Sequence, residues 1–70
     1  MALTPDQRKR LLGFGGLTKV SRITRRTLGH VSQVNSEKRP DPVVARAVVR
    51  EITKKHPHIA PEEIWPQSAA

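Results

Sequence analysis

The most informative stretch of this 70-residue chain is residues 17–39, LTKVSRITRRTLGHVSQVNSEKR. We interpret the stretch as two short helices, over residues 17–24 and 27–35, separated by a tight turn at Arg25 and Arg26. Thr27 suits the start of the second helix, because its hydroxyl can accept a hydrogen bond from an unpaired amide of the first turn.

The second helix has two chemically different faces. Leu28, Val31 and Val34 recur at helical spacing and predict a face that packs inward. The other face carries four small or polar residues, Gly29, His30, Ser32 and Gln33. Because this face has no carboxylate, it can approach phosphates and base edges without repulsion. The pattern predicts a helix that enters the major groove of DNA.

The net charge of +7 lies entirely in the first part of the chain. Residues 1–40 hold nine Lys and Arg against two Asp and Glu, whereas residues 41–70 hold four of each. Clustered cations of this kind release counterions when they bind phosphates. The distribution favours nucleic-acid binding over an incidental basic surface.

The flanking residues predict three further helices. One covers residues 5–12 and is capped by Thr4, and the longest covers residues 42–55 and is capped by Asp41. A single turn of helix is expected over residues 61–65. The sequence therefore predicts an all-α fold, a compact bundle of about five short helices with a central helix-turn-helix.

The apolar residues predict the core of this bundle. The longest helix has an inward stripe, Val44, Ala45, Val48, Val49 and Ile52, which is wider than a monomer needs and leaves apolar surface for a partner. The residues expected to pack with it are Leu11, Leu12, Phe14, Leu17, Val20, Ile23 or Thr24, Ile59, Ile64 and Trp65. Glu51 is expected outside the stripe. Arg8, Lys9 and Arg10 form a basic turn that is either plainly solvated or in contact with phosphate.

Length and composition limit the architecture further. Seventy residues make one domain, expected over residues 1–66 with a flexible tail at residues 67–70. A chain this short buries only about 60% of its unfolded surface, so stability is expected to be marginal. The absence of cysteine fits a reducing cytoplasm. No segment predicts a membrane span or a signal peptide.

The segment TLGHVSQVNSEKRP resembles the recognition helix and following loop of lambda-repressor/Cro-like helix-turn-helix domains, which often read S-x-x-x-V-S-x-I-x-x-G-K-R-x-P. The matching positions are Thr27, Val31, Ser32, Val34, Lys38 and Arg39, and Pro40 stands one residue before the proline of that pattern. The ending PEEIWP resembles the close of small Ner-like phage and bacterial regulators. The resemblance covers about residues 17–66.

This resemblance implies a DNA-binding transcriptional regulator, with repression as its expected action, in the cytoplasm and nucleoid of a bacterial or phage-infected cell. It implies a homodimer on a palindromic site in double-stranded DNA. The positions expected to read bases are Thr27, Leu28, Gly29, Ser32 and Gln33. The positions expected to contact phosphates are Lys19, Arg22, Arg25, Arg26, His30, Lys38 and Arg39.

Three positions depart from the family pattern. Arg25 replaces the usual turn glycine, which carries a modest steric cost in a left-handed conformation. Glu37 stands where a loop glycine is common, and Arg26 replaces an apolar residue. If the register shifts by one or two residues, Leu28 belongs to the core and not to the groove-facing surface.

Among the polar residues, Gln33 is the strongest candidate for reading sequence, because its amide can pair bidentately with adenine. No arrangement of residues indicates an enzyme, a cofactor or a small-molecule ligand. His56 and His58, followed by Glu62 and Glu63, lack regular metal-ligand spacing, so no metal site is expected.

Three other classes of function remain open. RNA binding is disfavoured, because one Phe, one Trp and no Tyr provide few platforms for base stacking. A protein-interaction module, such as an antitoxin or adaptor, would depend on Val49 or Trp65 and tolerate changes at Gln33 and Arg39. A non-specific nucleic-acid-binding protein would use the basic half as an electrostatic surface alone. Membrane binding is not expected, because the cations do not form one amphipathic helix.

Overall fold

A computed structural model describes residues 2–66, which form five helices and no strand. The helices are α1 (Pro5–Leu12), α2 (Gly16–Thr24), α3 (Leu28–Asn35), α4 (Pro42–Lys55) and α5 (Pro61–Ile64). The predicted all-α bundle is confirmed, and the predicted helix bounds agree to within one residue. The expected tail at residues 67–70 lies outside the described residues. None of the helices in residues 2–66 has the length and apolar composition to cross a bilayer.

Side chains cap the starts of α1 and α4 as predicted. The hydroxyl of Thr4 accepts a hydrogen bond from the Gln7 amide at 3.2 Å, and the Gln7 side chain accepts one from the Thr4 amide at 2.8 Å. The Asp41 carboxylate accepts from the amides of Val43 and Val44. These bonds satisfy amides that have no partner within the helix, which fixes where each helix begins.

The core lies where α4 packs against the other four helices. The fully buried apolar side chains come from every helix and are Leu12, Val20, Val31, Val34, Val44, Val48, Ile52 and Ile64. All five residues of the predicted α4 stripe are buried. The expectation that this stripe leaves apolar surface for a partner was wrong, because the chain's own helices cover it. Val43, outside the stripe, is 49% exposed.

Phe14 is fully exposed, which corrects its expected place in the core. It lies in the turn between α1 and α2, where Gly13 and Gly15 have φ of 81° and 76°. A Cβ on Gly16 would lie 2.5 Å from the Cβ of Leu12, so this glycine allows the two helices to approach closely. The close contact of α1 with α2 leaves no room for the aromatic ring between them.

Arg8 is buried, with 1% of its surface exposed, which corrects its expected place in a solvated basic turn. Its guanidinium donates to the backbone oxygen of Asn35 at 2.6 Å, to the side-chain oxygen of Asn35 at 3.1 Å and to the backbone oxygen of Leu3 at 3.0 Å. Its Cζ lies 4.0 Å from the centre of the Trp65 ring, within the range of a cation–π interaction.

The acceptors around Arg8 explain why a cation can be buried here. Asn35 ends α3, and its carbonyl is one of those that find no partner within the helix. Arg8 satisfies it and places a positive charge at the negative end of the helix dipole. The carboxylate of Glu37, whose side chain is half-exposed, lies 3.6 Å from the guanidinium. The side-chain amide of Asn35 donates to the Pro5 carbonyl at 3.3 Å, which gives α1 and α3 a second connection.

Glu51 is also buried, which corrects its expected place outside the α4 stripe. Its carboxylate accepts from Lys19 at 2.9 Å and from Lys54 at 3.2 Å. The hydrogen bond from Lys19, followed by that from Lys54, lowers the pKa of Glu51 against the opposing effect of burial. The pair of Lys19 and Glu51 joins α2 to α4.

Replacing Arg8 with Ala is expected to lower the free energy of unfolding by about 3 kcal/mol, because it leaves buried carbonyl groups without donors. Urea denaturation followed by circular dichroism measures this change. Arg10→Ala, at an exposed position of the same helix, is the control and should change it by less than about 0.5 kcal/mol. Equal effects of the two substitutions would contradict a structural role for Arg8.

Candidate nucleic-acid interface

The turn between α2 and α3 has the predicted left-handed residue. Arg25 has φ 58° and ψ 34°, and its amide bonds back to the end of α2. Ser21 makes two hydrogen bonds to Arg26. The Ser21 carbonyl accepts from the Arg26 amide at 3.2 Å, and the Ser21 hydroxyl donates to the Arg26 carbonyl. Glu37, at the second position expected to be glycine, also has a positive φ of 63°. The hydrogen bonds made by Ser21 and by the Arg25 amide hold the turn between α2 and α3 in this conformation, although neither Arg25 nor Arg26 is glycine.

The inner face of α3 is fixed by the core. Val31, Val34 and Asn35 are buried, and the Thr27 hydroxyl accepts from the His30 amide at 3.2 Å, as the predicted cap requires. The predicted inward positions of Val31 and Val34 and the predicted cap at Thr27 are confirmed.

Leu28 is 49% exposed, so the expectation that it packs inward with Val31 and Val34 was wrong. Helical side chains lean towards the N-terminus of their helix. Leu28 is the first residue of α3, so its side chain lies beyond the part of the helix that the bundle covers.

All five residues predicted to read bases lie on exposed positions of the α3 surface. They are Thr27, Leu28, Gly29, Ser32 and Gln33. A Cβ added to Gly29 would meet no atom within 4 Å, so the fold itself does not require glycine there. The outer face of α3 is therefore an open surface of small, polar and apolar groups without a carboxylate.

Asp41 joins the start of α3 to the start of α4. One carboxylate oxygen accepts from His30 Nε2 at 2.7 Å and from Arg26 Nε at 3.1 Å. The other accepts from the amides of Val43 and Val44. The hydrogen bond from His30 is the main cause that lowers the pKa of Asp41 to about 2, and Arg26 and Val44 add to it. The sequence indicated Asp41 only as a helix cap.

His30 connects Arg39 to the same carboxylate. Arg39 Nη1 lies 3.0 Å from His30 Nδ1, and because arginine has no acceptor, the arginine donates and Nδ1 accepts. Nε2 then carries the proton that is donated to Asp41. In this tautomer the His30 ring orients the Arg39 guanidinium beside α3.

The predicted phosphate-binding residues fall into two groups. Arg22, Arg25 and Lys38 are exposed, and their side chains have no hydrogen-bonding or ion-pair partner within residues 2–66. The others already have partners in the protein: Lys19 binds Glu51, Arg26 and His30 bind Asp41, and Arg39 binds His30. The structure brings Arg26, His30 and Arg39 together around Asp41 and places Lys19 in a separate ion pair.

The rest of the described surface shows no cluster suited to a metal. Within residues 2–66, no three His, Cys, Asp or Glu side chains gather closely enough to hold a metal ion. The rings of His56 and His58 lie edge to face with centroids 6.0 Å apart.

Comparison with known proteins found no matching family model, curated protein or solved structure.

Replacing Asp41 with Asn should destabilise the protein in a pH-dependent way, because Asn keeps the helix cap but removes the charge. The folded pKa of about 2 lies below the ordinary 3.8, so the stabilisation is present above about pH 4 and is lost as the pH falls through about 2. The difference in unfolding free energy should be roughly 2 kcal/mol at neutral pH and vanish in strong acid.

Urea titrations at a series of pH values measure this difference. Asp6→Asn, at an exposed position in the first turn of α1, is the matched control. A difference for Asp41→Asn that stays constant down to about pH 2 would show that its carboxylate is not held by His30 and Arg26.

Proposed function

We propose that the chain is a sequence-specific, double-stranded DNA-binding transcriptional regulator that reads the major groove with residues 27–35. One observation supports this most: the outer face of α3 is exposed and free of carboxylates, while its inner face is fixed in the core. A rigid helix with such a face meets the geometric need of groove readout, since base contacts require side chains held in a defined register.

Gln33 and Ser32 are the residues to which we assign base readout. Both are exposed on the same side of α3. A Gln amide can donate to and accept from one adenine, which is worth about 1–3 kcal/mol of discrimination between bases. Gly29, where no side chain limits the approach, would let the DNA come close to the helix backbone. Thr27 and Leu28 would contact the sugar or a thymine methyl group at the start of the helix.

Four cations are assigned to the DNA backbone as direct phosphate contacts: Arg22, Arg25, Lys38 and Arg39. Arg22 and Arg25 lie before α3, and Lys38 and Arg39 follow it, so they flank the reading helix in sequence. Arg26 and His30 would act mainly through Asp41, which holds them in place. Lys19 would reach phosphate only by leaving Glu51, so its contribution should be small.

A homodimer on an inverted repeat fits this proposal. One short helix reads only a few base pairs, so a second copy is the usual way to reach useful specificity. Repression is the action that we propose, because a protein that occupies a promoter needs no further contact in order to block it.

The direct test is the selection of sequences from a pool of random duplexes that stay bound at physiological salt. We expect a short inverted repeat to be recovered. Gln33→Ala should lose about 1–3 kcal/mol of discrimination at one base position, because the bidentate contact is missing. Arg39→Ala should weaken binding to all sequences and reduce the slope of log K against log salt by about 1.

Arg50→Ala is the control, because Arg50 is an exposed arginine of α4 that is not among the residues assigned to DNA. Recovery of no sequence motif, with binding that only fades as salt rises, would contradict sequence-specific readout. It would leave the basic half of the chain as a non-specific electrostatic surface.

A protein-interaction module is the second candidate, and the exposed Phe14 favours it. An aromatic ring that is fully open to solvent on a glycine-rich turn is a typical anchor for a partner. Val49 and Trp65, the sequence-based candidates for such a contact, are buried, so substituting them would test the fold and not an interface.

Phe14→Ser separates the two candidates without disturbing the core. If DNA reading is the function, the substitution should leave both stability and DNA affinity unchanged, as measured by urea denaturation and fluorescence anisotropy. Loss of regulation in cells with unchanged DNA affinity would favour the protein-interaction module.

A further inference from the structure

A groove of about 440 Å³ lies between the loop that follows α3 and the chain segment after α5. The buried residues Val34, Ala45 and Trp65 form its floor. The exposed Pro40 and Pro42 supply apolar surface at its wall. This volume falls within the range of about 300–1,000 Å³ that is typical of sites for small organic ligands.

Two carboxylates and three cations line the groove, and within residues 2–66 the carboxylates are ion-paired whereas the cations are not. Its two carboxylates already have cationic partners, because Asp41 accepts from Arg26 and His30 and Glu37 lies against Arg8. The groove is also lined by three cations, Lys38, Arg39 and Arg46. Lys38 and Arg46 have no ion-pair or hydrogen-bonding partner for their side chains within the described range 2–66.

We propose that this groove binds a small organic anion with an aromatic or branched apolar body, such as an aromatic carboxylate or sulfonate. The apolar body would lie against Pro40, Pro42 and Trp65, and the anionic group would meet Arg46 and Arg39. This division follows from the two kinds of surface that the groove offers. A purely polar anion would leave the apolar lining unused, and a neutral apolar molecule would gain no hydrogen bond between opposite charges from the guanidinium groups.

Arg39 Nη1 lies 3.0 Å from His30 Nδ1, and because Arg39 is exposed, its guanidinium can turn from this ring to an anion without leaving a buried charge unpaired. A carboxylate or sulfonate binds a guanidinium more strongly than a ring nitrogen does, since the anion adds Coulombic attraction and can accept two parallel N–H bonds. Arg46 lies one residue after Ala45, and both line the groove. The site therefore offers two guanidinium groups beside one apolar lining.

The test titrates the full chain, labelled with nitrogen-15 and without DNA, with 1-anilinonaphthalene-8-sulfonate as the probe. Because Trp65 is the chain's one tryptophan, its indole N–H gives a single resonance that reports on the groove. We expect a saturable shift of this resonance. Arg46→Glu should weaken binding about tenfold, because it replaces an attractive charge with a repulsive one.

Arg50→Glu is the matched control, because it makes the same charge change at an exposed position one turn along α4 and outside the groove. It should weaken binding by about twofold or less, since Arg50 does not line the groove and makes no direct hydrogen bond to the anion. N-phenyl-1-naphthylamine, which has the same aromatic body without the sulfonate, should bind at least about tenfold more weakly.

Absence of a saturable Trp65 shift would overturn the proposal, as would equal weakening by the two Glu substitutions or equal binding of the neutral probe. Binding to partly unfolded protein is detected by the dispersion of the other amide resonances, which the probe should leave intact. Because no DNA is present, the outcome is independent of the proposed DNA-binding function.

Discussion

The buried guanidinium of Arg8 holds three separate parts of the chain together. A guanidinium removed from water must find acceptors, and it finds them at Leu3, at the end of α3 in Asn35, and at the face of Trp65. These contacts join the first helix, the end of α3 and the end of the described chain around one charge. In so small a domain the apolar core is limited. A buried polar cluster whose groups are all paired fixes the relative positions of the segments that it joins more precisely than apolar packing alone.

The opposite end of α3 is held by a second polar cluster. Thr27 caps the helix, and His30 binds Asp41, which also caps α4. The two clusters fix both ends of an eight-residue helix that would not be stable in isolation. The exposed residues on the outer face of α3 can then be small and polar, since none of them is needed for packing in the core. The sequence of α3 thus divides between positions that hold the helix and positions that remain available to contact DNA.

Local signals in the sequence were sufficient for the helices and for two of the three residues expected on the inner face of α3, Val31 and Val34. Capping residues and apolar spacing marked the helix starts, whereas the left-handed Arg25 was expected only from the family resemblance, in which a glycine is usual at that position. The burial of Arg8 could not be predicted, because its partner Asn35 lies 27 residues away and a lone Arg beside Lys9 and Arg10 has the pattern of a solvated turn. Glu51 was missed for the same reason, since its partner Lys19 is distant in sequence. Long-range pairing of charges leaves no periodic signal.

A nuclear magnetic resonance titration of the labelled protein with a short duplex at physiological salt tests most directly whether the outer face of α3 meets DNA. We expect the amide resonances of residues 27–33 and of Lys38 and Arg39 to shift together and saturate, while those of the outer face of α4 stay in place. Shifts concentrated around Phe14, or small shifts spread over all basic residues, would contradict this expectation.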